Sequence, residues 1–73
     1  MTTFERIKLL VEEKGIVPSK MMKDLGFSSG LYSQWKLGQQ NPSVNKIIKI
    51  AEYLNVSVDY LIGRTDDPDL HKK

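Results

Sequence analysis

Residues 21–38, MMKDLGFSSGLYSQWKLG, decide how this chain folds. Met21, Met22 and Leu25 form one apolar stripe and Tyr32 and Trp35 belong to a second. The three residues between the helical patterns, Gly26-Phe27-Ser28, leave room only for a tight corner joining two helices. Gly26 suits the left-handed conformation that closes the first helix. Ser28 is placed to cap the second, because its hydroxyl can accept from an orphan amide at the new helix end. The pattern therefore predicts a helix that starts at Ser28, runs from about Ser29 to Leu37 and stops at Gly38. At helical spacing, Tyr32, Trp35 and Lys36 share one side, while Gly30, Ser33, Gln34 and Leu37 lie opposite. The first side is anchored. The second is small or polar apart from Leu37, and is left free for recognition.

Upstream, Thr2-Thr3-Phe4-Glu5 has the form of a capping box, followed by Phe4, Ile7, Leu10 and Val11 at helical spacing to about Lys14. Gly15 stops this first helix. Pro18 opens the second, where its missing amide is no loss, although Val17 is a poor cap. The adjacent Met21 and Met22 read as core filling. Downstream, Pro42 pushes Asn41 out of the helical region, so Gln39-Gln40-Asn41-Pro42 is a break. Ser43 caps a fourth helix whose Val44, Ile47, Ile48, Ala51 and Leu54 make the longest amphipathic signal in the chain. Asn55 ends it. A fifth helix starts from Ser57, with Asp59 at its positive end and a staple between Val56 and Leu61, and stops at Gly63. With no period-two stretch, the expected fold is all-α, a compact five-helix bundle with Leu25, Ile47, Ala51 and Leu54 among its buried residues. Residues 1–63 form the domain. Residues 64–73, polar except for Leu70 and carrying Pro68, are expected to be a flexible tail.

Seventy-three residues suffice for one modest core. There is no cysteine, which excludes disulfides and thiolate metal sites, and the one histidine, His71, lies in the tail; the folded part shows no His, Cys or paired-carboxylate arrangement, and no metal or cofactor is expected. An enzyme is not expected. No stretch approaches the roughly 20 apolar residues of a membrane span, and no signal peptide is evident, which together lead to the expectation of a cytoplasmic protein. The net charge of +2 is unevenly spread: residues 14–49 hold six lysines against one acid, Asp24, whereas the flanks are net acidic. Positive charge thus surrounds the helix pair.

The order and spacing of these signals from Ile7 to Ile62 resemble the Cro/phage-repressor type of helix-turn-helix domain, the Xre family, whose fold is lambda-repressor-like. The resemblance is carried by Gly26-Phe27-Ser28 at the turn, Tyr32 and Trp35 in the third helix, Gly38, the Asn41-Pro42-Ser43 helix start, and residues 51–57 leading into Tyr60-Leu61. This chain departs from the family pattern in three places. Pro18 stands where a phosphate-binding Gln is frequent, Met22 where a small residue is usual, and Val11 and Lys36 where an Arg–Glu pair is common.

The resemblance implies a sequence-specific DNA-binding transcriptional regulator, a repressor of prophage or mobile-element type, that lays its third helix in the major groove of double-stranded DNA. Carried over by position, Ser29, Gly30, Ser33 and Gln34 contact bases. Gln34 is the most informative of these, because its amide can both accept from and donate to an adenine edge. Ser28, Lys36, Gln39, Gln40 and Asn41 are the expected phosphate contacts. Trp35, at helical spacing from Tyr32, is expected in the core rather than as a stacking platform. A homodimer is expected, because one short helix spans too few base pairs, and Tyr60, Leu61 and Ile62 are the expected interface. The alternative reading is an antitoxin or adaptor module whose main partner is a protein. No membrane and no small-molecule substrate are implied.

Overall fold

A computed structural model describes residues 2–68. Helices α1 (Thr3–Glu13), α2 (Pro18–Asp24), α3 (Leu31–Lys36), α4 (Val44–Leu54) and α5 (Val58–Leu61) follow one another, and no strand occurs among the described residues. Helix starts follow the local chemistry. The Thr2 hydroxyl accepts from the Glu5 amide at 3.1 Å, and the Glu5 carboxylate accepts from the Thr2 amide at 2.7 Å, so two orphan donors are satisfied reciprocally. The Thr2 amide also holds the Glu5 carboxyl below its usual range. Ser43 Oγ accepts from the Lys46 amide and Ser57 Oγ from the Tyr60 amide, as the caps of α4 and α5. Asn55 closes α4 in the left-handed region at φ 59°, which asparagine tolerates better than most residues.

α5 packs on α1 and α4, α1 packs on α4, and α2 packs on α3. The core between them takes Ile7, Leu10 and Val11 from α1, Met21 and Met22 from α2, Leu31 and Trp35 from α3, and Ile47, Ile50, Ala51 and Leu54 from α4. Val56 and Leu61, the expected staple, are both buried as well. Burial of the two methionines agrees with their reading as core.

Several expectations are corrected. α3 begins at Leu31, not at Ser28 or Ser29, and Ser28 is not its cap: Gly30 is, with no side-chain bond. Ser28 instead uses its carbonyl to accept from the Leu31 amide at 3.2 Å, making a turn of Ser28-Ser29-Gly30. Serine and glycine are poor helix formers, so regular helix waits for the first residue that packing holds. On α4, Val44 and Ile48 are exposed while Ile50, absent from the expected stripe, is fully buried. The inward arc is centred on residues 47, 50, 51 and 54, which leaves positions 44 and 48 on its solvent flank. Leu25 is only half-buried because α2 has already ended at Asp24 and Leu25 sits in the corner.

Residues 64–68, assigned to the flexible tail from sequence, are tied to the bundle. Arg6 Nη1 donates to the carbonyls of Tyr60 and Thr65 at 3.0 and 2.9 Å, and its guanidinium lies 4.6 Å from the Tyr60 ring centroid. Its ion pair with Asp66 adds little, because that carboxylate is fully exposed. The Ser57 amide donates to the Pro68 carbonyl at 3.0 Å. The remainder of the expected tail, with Leu70 and His71, lies outside the described residues.

Candidate nucleic-acid interface

With six residues and no side-chain cap, α3 is held from behind. Leu31 and Trp35 are buried, and Tyr32 is half-buried above them. Their rings join a row that crosses the molecule: Phe4 meets Tyr32 edge-on at 5.0 Å, Tyr32 lies 6.5 Å from Trp35, and Phe27 meets Trp35 edge-on at 6.5 Å. Such pairs add to plain area burial. Burial, with a smaller push from Glu12, raises the Tyr32 hydroxyl above its ordinary pKa. Trp35 is therefore a core residue and offers no surface for stacking.

The outward side of the turn and helix carries the expected base-contact residues. Ser29, Gly30 and Ser33 are exposed and Gln34 is half-buried. Ser29 and Gly30 belong to the turn preceding α3; Ser33 and Gln34 belong to the helix itself. Leu37, at 70% exposure, ends this face as a large apolar group in solvent. Lys36 is exposed, as a free cation on this edge must be, rather than sharing the buried side with Trp35.

The expected phosphate contacts divide between two places. Ser28, Gln40 and Asn41 line one open cleft together with Ser43 and Lys46. Lys36 lies instead in a groove between α3 and the start of α1, beside Thr2, Glu5 and Gly38, and Asn41 borders both depressions. Gln39 is exposed, and its amide donates to the Gln34 carbonyl at 2.9 Å. Gln40 Nε2 donates to Gln34 Oε1 at 2.6 Å, linking an expected phosphate contact to an expected base contact. Of the three expected interface residues on and just after α5, Leu61 is corrected: it is fully buried within its own chain, whereas Tyr60 is half-buried and Ile62 is 44% exposed.

Lys46 is the functional candidate that the sequence reading missed. Its ammonium lies 5.5 Å from the centroid of Phe27, in the corner between α2 and α3, and it borders the cleft with Ser28 and Gln40. The signal was available: Lys46 stands three residues after the cap Ser43, in the first turn of α4, where a side chain leans back over the helix start. The positive end of the α4 dipole adds to its charge there. On the neighbouring surface, Lys20, Lys23 and Ser29 line a second hollow with Asp24 and Phe27. Asp24 accepts from the Tyr53 hydroxyl at 2.8 Å and pairs with Lys20 at 3.4 Å. The Tyr53 bond, aided by Lys20, holds the Asp24 carboxyl below its ordinary range. Among the described residues, no cluster of His, Cys, Asp or Glu could hold a metal, and no helix is long and apolar enough to cross a membrane.

Comparison with known proteins bears on what this surface meets. The model of a family described as helix-turn-helix domain matches residues 4–66. The chain is 28% identical over 65 residues to the Bacillus subtilis uncharacterized HTH-type transcriptional regulator YobD, covering 89% of this chain and 58% of that protein. It is 30% identical over 61 residues to the SPbeta prophage-derived uncharacterized HTH-type transcriptional regulator YonR of the same species, covering 84% of this chain and 56% of YonR. With the cryptic phage CTXphi transcriptional repressor RstR of Vibrio cholerae it shares 33% identity over 46 residues, 63% of this chain and 41% of RstR. The chain thus spans about half the length of these curated relatives. No solved structure matches it.

Proposed function

Because the chain belongs to the helix-turn-helix domain family, we propose that it is a sequence-specific DNA-binding transcriptional regulator of the Cro/phage-repressor (Xre) type, a cytoplasmic repressor. The observation that carries this reading is a short helix whose back is locked by Leu31, Tyr32 and Trp35 and whose front, apart from Leu37 at its end, offers small or amide side chains, inside the most basic part of the chain. A helix so held can enter the major groove with its front undisturbed. The prophage origin named for YonR and the repressor activity named for RstR support the prophage-type repressor reading.

In this reading Gln34, Ser33, Gly30 and Ser29 face base edges. Ser28, Asn41 and Lys46 hold one phosphate strand from the cleft, while Lys36 approaches from the other flank and Gln39 from the exposed loop after α3. The active species is a homodimer on a near-palindromic site with half-site centres about 10 base pairs apart, one DNA turn of about 34 Å. With Leu61 committed to the core, the edge of Tyr60 on α5 and Ile62 just after it are left for a partner copy.

Selecting duplexes from a random pool, then measuring affinity on the selected and a scrambled duplex, tests the reading. Gln34→Ala is expected to lower specific affinity by about 1–3 kcal/mol and to relax preference at one base pair. Lys46→Ala is expected to weaken both duplexes alike and to reduce the salt slope by about one. Failure of the pool to converge on any sequence, together with co-purification of a protein partner, would overturn the reading in favour of an antitoxin or adaptor.

A further inference from the structure

We infer that Gln40 is a positioning residue that determines specificity: it fixes which end of the Gln34 amide faces the groove, so that Gln34 reads a base edge offering an acceptor. The inference rests on the reading of α3 as the recognition helix. A glutamine amide has a donor end and an acceptor end, and a freely turning one can suit adenine, guanine or cytosine by rotation. Gln34 does not turn freely. Gly38, at φ +75°, reverses the chain after α3, so that the amides of Gln39 and Gln40 both approach the Gln34 carbonyl, at 2.9 and 3.4 Å. The Gln40 side chain is thereby laid along Gln34, and its Nε2 donates to Gln34 Oε1 at 2.6 Å.

The polarity of that bond has a second support. Gln40 shares its cleft with Lys46, whose ammonium can only donate and so favours the carbonyl end of the Gln40 amide on its side. The amino end of Gln40 is then left for Gln34. One lone pair of Gln34 Oε1 is consumed, and the two N–H groups of Gln34 Nε2 have no partner among the described residues. In the major groove guanine, adenine and thymine present acceptors, whereas cytosine presents only its amino donor. Cytosine is therefore the disfavoured base on the contacted strand. A side chain already ordered also gives up less freedom on binding.

The test uses the duplex that the wild-type chain selects and its three variants at the pair to which Gln34→Ala becomes indifferent. Wild type is expected to prefer an acceptor base over cytosine by roughly 5- to 150-fold. Gln40→Met, similar in length but without an amide, is expected to reduce that ratio about two- to twelvefold with the salt slope unchanged, the effect of leaving one rotamer-rich side chain to be ordered. Gln40→Lys retains a donor and is expected to keep the base order. Gln40→Glu, which can only accept, is expected to turn the Gln34 amide over and move preference toward cytosine and adenine, whose amino groups donate. Gln40 is exposed, so all three variants are expected to unfold at the wild-type temperature. Equal weakening of all four duplexes by Gln40→Met would make Gln40 a phosphate contact and overturn the inference alone, as would an unchanged base order in Gln40→Glu. Indifference of wild type to all four bases would overturn the recognition-helix reading and this inference with it.

Discussion

α3 and α4 are neighbours in sequence and opposites in construction. α4 is eleven residues long, starts from a bonded serine cap and buries four residues. Its own sequence calls for a helix there. α3 has six residues, an unbonded glycine at its start and two buried side chains. A helix that short has no stability of its own in water. It exists because Leu31 and Trp35 reach the core and the aromatic row from Phe4 to Phe27 clamps it. The difference teaches that stability and recognition are assigned to different sides of one helix. Packing decides where α3 lies, so its front can be chosen for contact without cost to the fold.

The comparison breaks first where α3 meets the core. Trp35→Ala is expected to cost about 3–5 kcal/mol in urea denaturation, and to abolish specific binding because α3 loses its clamp. Next, the two helix starts are expected to respond oppositely. Ser43→Ala removes the bond to the Lys46 amide and should destabilise the chain by about 1 kcal/mol. Gly30→Ala should stabilise it by about 0.4–1 kcal/mol, since Gly30 already has helical φ −82° and ψ −10°, and an added Cβ meets nothing within 4 Å. A loss of stability in Gly30→Ala would mean that the turn before α3 needs glycine for its backbone.

The smallest effect is electrostatic. Asp24 is held below its ordinary pKa chiefly by the Tyr53 hydroxyl, so its contribution to stability is present above the unfolded value and is lost as pH falls through the folded one. Tyr53→Phe is expected to let the carboxyl titrate closer to its ordinary value, which a carboxyl-detected NMR titration reads directly. An unmoved Asp24 would show Lys20 to be the dominant partner.

Much of this molecule was legible in its sequence wherever local chemistry decides. The Thr2 box, the Ser43 and Ser57 caps and the Asn55 stop all stand where their side chains put them. What could not be read depends on contacts between distant residues. Ser28 resembles a cap, but Gly30 and the burial of Leu31 move the start of α3 by two residues. Ile48 and Ile50 are alike by composition, and only the direction from which α1 and α5 approach α4 settles which is inside. Of the base-contact candidates implied by the resemblance, Ser33 and Gln34 lie on α3 where helical spacing puts them, whereas Ser29 and Gly30 lie in the turn before it. The Gln34–Gln40 bond was missed because it arises from the loop after α3 folding back on it, and Lys46 because its place over Phe27 depends on how α4 meets the corner between α2 and α3.

Titrating the isotope-labelled chain with the duplex it selects, and following each backbone amide by NMR, tests the central claim most directly. The account expects the largest shifts at residues 28–34 and 40–46, where the turn, the front of α3 and the Lys46 cleft lie, with the buried face of α4 little changed. Shifts centred on α1 and α5, with residues 28–34 unmoved, would contradict it.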